Sequence, residues 1–299
     1  MIDSGAERVV TTSMLVTART HVGMRREENQ DRALVVIGGT RESLDPVDHD
    51  GVLELRRVPT EGSVLLVADG MGGRSGGSTA AKIASDAVRR TFERRDVGGA
   101  SPNLFVKTLN EALLKANRDV LWEAQGEASL TDMGTTATLV GVLGDRVHVA
   151  QVGDSRAYLI RGGAIVRLTR DQSLVQDLID SGILDESDTG TVNDNLLLQA
   201  VGTQPELRPA HTFHALRERD RLLLCSDGLS QMVRDDELAS ICTEEPDASL
   251  LVERLVALAN ERGGPDNTTV LVADLIESGL PDPGSEDTLS AKRWRGSRS

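Results

Sequence analysis

The stretch VLLVADGMGG, Val64 to Gly73, decides how this chain is read. An apolar run ends at Ala68, a carboxylate follows at Asp69, and then come small or flexible residues. Taken alone, Asp-Gly is a favoured hairpin corner, and a turn accounts for it. The chain repeats the device at LLLCSDGL (Leu222–Leu229) and, with the aspartate before the strand, at GGPDNTTVLV (Gly263–Val272). Carboxylates placed this way at strand ends project towards a common rim.

Working outward, 13–19, 32–37, 52–58 and 63–68 read as strands, with a polar segment over about 38–51. Residues 77–95 set Ala80, Ile83, Ala84, Ala87, Val88 and Phe92 on one face at helical spacing. Ser101-Pro102 opens a second helix as cap and first-turn residue, with Phe105, Leu109, Ala112, Leu113 and Ala116 along its apolar face. Strands at 135–142, 146–152, 156–160 and 164–168, separated by short glycine turns, predict an antiparallel meander. Residues 172–200 turn helical and then polar, and strands return at 211–216 and 220–225. Helices near 235–242 and 248–261 precede a last strand at 268–275. Strands, two helices, strands, helices, strand: this order predicts antiparallel sheets covered by helix pairs, and argues against alternating βαβ units.

Composition narrows the function classes. The chain has 299 residues and a formal net charge of −14, so nucleic acid and anionic membranes are disfavoured as partners. Aromatic residues make up only 2%, which leaves the core to Leu, Val, Ile and Ala. No apolar run reaches the ~18 residues of a spanning helix, and no signal-peptide pattern is seen, so a cytoplasmic protein is expected. Cys225 and Cys242 lack zinc-like spacing and read as buried free thiols. His211 and His214, three apart on a strand, point to opposite faces and make a poor metal pair. Residues 277–299, rich in Gly, Pro, Ser and acids and ending in a basic run, read as a disordered tail.

Five aspartates stand out: Asp31 at the start of a strand, Asp69, Asp154 in a turn, Asp227 ending the strand LLLCS, and Asp266 before the last strand. They are either independent turn residues or one cluster. Converging carboxylates repel by about 4 kcal/mol per close pair at an effective dielectric near 20, so a cluster requires protons or cations. Oxygen ligands without Cys or His favour hard ions, Mg²⁺ or Mn²⁺.

The strings R-x-x-N-Q-D (Arg26–Asp31), DGMGG (Asp69–Gly73), MGTTA (Met133–Ala137), GDSRAY (Gly153–Tyr158), SDGL (Ser226–Leu229) and GGPDNTTV (Gly263–Val270) occur in this order. Together they resemble the metal-dependent serine/threonine protein phosphatases (the PPM, or type 2C, family) in their bacterial form. The resemblance implies an α+β fold, a four-layer αββα sandwich of two antiparallel sheets flanked by helix pairs. It implies a catalytic domain over 1–276, with a flap at about 171–200. It also implies a centre of two Mg²⁺ or Mn²⁺ ions with a third, weaker site. Carried over by position, Asp69 bridges both metals, and Gly70 offers its carbonyl to the second. Asp227 and Asp266 ligate the first metal, while Asp31 acts in the outer shell. Asp154 joins Asp227 at the third site, and Arg26 clamps phosphate. The implied reaction is hydrolysis of phosphoserine and phosphothreonine by in-line attack of a metal-bridging hydroxide, opposing bacterial kinases. Phosphorylated proteins, namely kinases and their substrates, are the implied partners of a monomeric enzyme.

The chain departs from the family pattern in places. Gln30 stands where glutamate is common, Met71 where animal relatives have histidine, and Gln172 where many bacterial relatives have histidine. The loop RSGGSTA after DGMGG is unusual, VNDN replaces a proline–arginine–asparagine stretch, and residues 40–60 are longer than the family minimum, which suggests an exposed hairpin. A second reading is a catalytically weak or inactive phosphatase-fold module that binds a phosphoprotein or kinase in signalling. A histidine-rich two-metal phosphatase is disfavoured, because its histidine beside Asp154 and its Asn-His-Glu string are missing.

Overall fold

The computed structural model describes residues 13–40, 42–47, 50–72, 76–95, 97–126, 130–185, 196–276, 279–284, 289 and 292–293. Gly73, Arg74 and Ser75 at the start of the unusual loop, and the VNDN stretch lie outside the described residues. The strands are β1 (Ser13–His21), β2 (Arg32–Val36), β3 (Ser43–Val47), β4 (Val52–Pro59), β5 (Val64–Ala68), β6 (Gly70–Met71), β7 (Gly134–Thr135), β8 (Ala137–Leu143), β9 (Arg146–Val152), β10 (Arg156–Arg161), β11 (Ala164–Arg167), β12 (Ala210–Ala215), β13 (Arg221–Cys225), β14 (Thr268–Ile276) and β15 (Lys292–Arg293). The helices are α1 (Gly76–Glu93), α2 (Pro102–Gly126), α3 (Leu174–Asp180), α4 (Asp227–Ser230), α5 (Asp235–Glu244) and α6 (Ala248–Glu261).

Two antiparallel sheets stack face to face. One runs β11-β10-β13-β14-β1-β4, the other β15-β12-β9-β8-β5-β2-β3, and β6 pairs with β7 as a separate short ribbon. The apolar residues divide into three cores, as four layers require. Met14, Val16, Leu65, Val67, Val140 and Leu224 fill the space between the sheets. Leu66, Leu139, Ala84, Val88, Phe105 and Leu109 join the second sheet to α1 and α2. Leu223, Val270, Leu238, Leu251 and Leu255 join the first sheet to α5 and α6. The predicted αββα sandwich is the observed fold. With so few aromatics, Ala and Val on α1 let that helix lie close to its sheet.

Four expectations need correction. The four-strand meander breaks after β9, because β10 pairs with β13 and β11 in the opposite sheet. The chain changes layer at Gly153-Asp154, and local periodicity carries no signal for such a crossing. The segment at 40–60 is not a free hairpin: β3 borders β2 in one sheet and β4 borders β1 in the other. Asp227 does not end a strand but opens the one-turn helix α4 after Ser226. Part of the expected disordered tail is placed against the sandwich. β15 pairs with β12, Leu280 and Leu289 pack on the inter-sheet core, and Arg219 holds Asp282 at 3.0 Å. Scattered apolar residues and an open sheet edge suffice to dock a segment whose composition reads as unstructured.

Candidate metal centre

The two sheets end together in a cleft of about 990 Å³ whose lining includes Arg26, Asp69, Gly70, Asp154, Asp227 and Asp266. Asp31 lies behind the lining, fully buried. Asp69 leaves the end of β5 and is fixed by its main chain: its N–H donates to Thr136 Oγ1 at 2.9 Å, and its carbonyl accepts from Thr136 N at 2.8 Å. Gly70 is needed for close approach. A Cβ there would drive into the Gly77 carbonyl and stand 2.6 Å from the Gln30 carbonyl. Gly228 does the same for the next carboxylate, since a Cβ would collide with the Asn267 carbonyl and so hold α4 away from the Asp266 loop. Asp154 sits in the turn where the chain crosses between sheets, which brings it to the cleft from the opposite wall.

Asp31 is caged by hydroxyls. Its Oδ2 accepts from Ser226 Oγ and Thr269 Oγ1, both at 2.7 Å. Its Oδ1 is buried without a partner, and so is Oδ1 of Asp227. Arg26, on the exposed side, reaches Asp266 Oδ2 at 2.5 Å, and that bond raises its already high pKa. Asp227 Oδ2 accepts from Gln231 Nε2 at 2.8 Å.

Burial and mutual repulsion push the carboxyls upward. Desolvation raises Asp31 to about 6, against the hydroxyl bonds that favour its anion. Burial, then Asp266, raises Asp227 to about 7. Burial, then Asp227 and Asp171, raises Asp154 to about 8. Asp69 is driven well above the usual carboxylate range by burial, then by Asp31, Asp227, Asp154 and Asp266. Buried carboxylate oxygens without donors, facing other carboxylates, are the condition that a hard divalent cation relieves. The donor set therefore fits such ions. Among the described residues no three His, Cys, Asp or Glu side chains close into a ready-made cage; Arg26 donates to Asp266 and Gln231 to Asp227.

Several residues that the sequence reading quoted only as part of a motif turn out to build the site. Asn267 accepts from Gln30 N at 2.9 Å and donates to the carbonyls of Val22 and Glu28, tying the Arg26–Asp31 loop to the Asp266 loop. Gln172, noted only as a departure, braces the layer crossing: Gly153 N donates to its Oε1 at 2.9 Å. Their signal was adjacency to the aspartates, within the strings that contain or follow them. His211 and His214 contribute nothing to the cleft, and both cysteines are buried free thiols raised by desolvation, Cys225 to about 12 and Cys242 to about 11.

The family model described as Protein phosphatase 2C matches residues 53–265. The serine/threonine protein phosphatase PstP of Mycobacterium tuberculosis is 35% identical over 214 residues, 72% of this chain and 40% of that protein. The chain thus spans well under half the length of the first curated relatives it matches. The serine/threonine phosphatase stp of Listeria monocytogenes is 32% identical over 80% of this chain and 92% of its own length. Among solved structures, the S. agalactiae serine/threonine phosphatase superposes with a TM-score of 0.75 at 28% identity, covering 87% of this chain and 98% of that one. The catalytic domain of PstP in complex with two manganese ions gives 0.70 at 30% identity, covering 88% and 99%. Fold, ordered motifs and relatives agree: the chain belongs to the protein phosphatase 2C family.

Proposed function

We propose that this protein is a metal-dependent protein serine/threonine phosphatase that removes phosphate from phosphoserine and phosphothreonine, opposing protein kinases. One observation carries the reading: Asp69, Asp154, Asp227 and Asp266 share a single cleft with an exposed arginine, and the buried Oδ1 atoms of Asp31 and Asp227 lack any donor. Asp69, the Gly70 carbonyl, Asp227 and Asp266 would hold two Mn²⁺ or Mg²⁺ ions, and Asp154 with Asp227 a third, weaker one. When bound, such ions supply Lewis acidity to water and to the phosphoryl oxygens. Arg26 keeps one donor on Asp266 and turns its other N–H groups to the phosphoryl oxygens, fixing phosphorus for in-line attack by water. Asp31, held by Ser226 and Thr269 behind the cleft wall, would act from the outer shell, its buried Oδ1 biasing the charge of the carboxylates that would hold the ions. With Met71 at the lip, the departing serine or threonine oxygen takes its proton from solvent.

Residues 1–276 form the catalytic domain in this reading, with 171–200 as the flap beside the cleft. Leu197, from the flap, lines the cleft wall. The substrates are phosphorylated proteins, kinases among them, met by a monomer in the cytoplasm. Among the described residues no helix is long and apolar enough to cross a membrane. The test is phosphate release from p-nitrophenyl phosphate and from a phosphothreonine peptide, with Mn²⁺ and with chelator. Turnover that needs Mn²⁺ supports the reading. Phosphopeptide binding without turnover in Mn²⁺ favours the inactive binding module.

A further inference from the structure

A second pocket lies between the C-terminal end of α1 and the middle of α2, about 300 Å³ in volume and lined by Arg90, Arg94, Arg95, Lys115 and Arg118 with Glu111 as its one carboxylate. This concentration of positive charge stands on a chain whose net charge is −14. Its cations are only partly neutralised. Arg95 holds Glu111 at 2.5 Å, Lys115 pairs with Asp119, and Arg90 stands 3.9 Å from Asp86. Arg94 and Arg118 are exposed and take part in no ion pair among the described residues. Helix-dipole compensation accounts for Arg90, in the last turn of α1. It does not account for Lys115 and Arg118, three apart on one face in the middle of the long helix α2.

We infer that this pocket binds a second phosphate group on the phosphoprotein whose first phosphate is in the cleft. The inference rests on the phosphatase reading. Guanidinium forks suit phosphate and carboxylate oxygens. A pocket of this volume takes one such group, whereas a nucleic-acid backbone would have to pass the acidic remainder of the surface. The span is fixed by α1. Its first turn borders the cleft, where Gly77 meets Gly70. At about 1.5 Å per residue, Arg90 lies about 20 Å further along the axis from Gly76. An extended segment at about 3.3 Å per residue crosses that distance in roughly six to nine residues. The site therefore selects substrates whose second negative charge lies that far from the phosphoresidue, as in multiply phosphorylated loops.

The experiment compares the native protein with Arg94→Glu/Arg118→Glu in Mn²⁺, on p-nitrophenyl phosphate, on a singly phosphorylated peptide, and on the same peptide with a second phosphate seven residues away. The native protein is expected to show a KM about tenfold lower for the doubly phosphorylated peptide, the advantage shrinking with added salt. The variant loses that advantage while kcat and the rates on the other two substrates stay unchanged. Equal KM values for the two peptides on the native protein overturn the inference, as does a variant that keeps the difference. Fluorescence anisotropy with the labelled doubly phosphorylated peptide reads binding without catalysis, so failure of the phosphatase reading, no turnover on any substrate, is told apart from failure of the pocket. A single-stranded oligonucleotide that binds as tightly as the peptide, and is lost equally in the variant, also overturns it.

Discussion

Burying Asp69 among Asp31, Asp154, Asp227 and Asp266 puts repulsion into the folded state, and the donors present leave Oδ1 of Asp31 and of Asp227 without a partner. Each close pair costs about 4 kcal/mol at an effective dielectric near 20. Asp227→Asn takes one charge out of the cluster and one oxygen ligand out of the proposed centre. Turnover is expected to fall more than about 10²-fold, while the melting temperature measured in chelator rises; near-native turnover in the variant would show the site assignment to be wrong. The same cluster sets a pH dependence. Asp31, Asp227 and Asp154 have folded pKa values of about 6, 7 and 8, all above the ordinary carboxylate value of 3.8. The folded state therefore binds more protons than the unfolded one across this range, and the associated stability is lost as pH rises through about 6 to 8. In chelator, thermal melts are expected to shift downward between pH 6 and pH 8.5, and Mn²⁺ to abolish most of the shift. A flat profile in chelator contradicts the proposed burial of the carboxyls.

At the scale of elements, the crossing from β9 to β10 delivers Asp154, and Gln172 is the brace. Gln172 takes the Gly153 N–H on its side chain and donates its own N–H to the Gly153 carbonyl at 3.0 Å. Its carbonyl in turn accepts from Leu198 N at 2.7 Å, so the same residue ties the turn to the flap. Gln172→Leu leaves the Gly153 N–H without its acceptor and is expected to lower stability by about 1–3 kcal/mol. Urea unfolding measures that loss, and a rise in the Mn²⁺ concentration needed for half-maximal turnover measures the displaced turn. Helices α1 and α2 were legible from spacing alone, because each buries one continuous stripe. The pairing of β10 was not, since a strand buried on both faces reads the same in either sheet.

For the whole molecule, the segment beyond β14 closes the edge of the second sheet. Besides pairing β15 with β12, it accepts a bond from Glu218 N on the Pro281 carbonyl at 3.1 Å. Truncation after Ile276 exposes the β12 edge and uncovers apolar surface under Leu280 and Leu289. The expected cost is about 1–2 kcal/mol, read as a lower melting temperature and a greater tendency to aggregate, with unchanged turnover of p-nitrophenyl phosphate. An unchanged melting temperature means the segment does not hold the edge in solution.

The amino-acid order alone determined the layers and the ordered acidic strings, because amphipathic stripes and small-residue turns are local properties that survive without their neighbours. It also showed Gly70 within its string, although the reason for its missing side chain, the close approach of the Gly77 and Gln30 carbonyls, lies in the packing. Only the tertiary structure decided that Asp154 reaches the cleft through a change of sheet, that Asp31 lies behind the cleft wall rather than on it, and that Thr136, Gln172 and Asn267 hold the carboxylates in place. Those facts depend on which distant segments touch, and contacts of that kind are set by the packing of the whole sandwich rather than by any window of the chain.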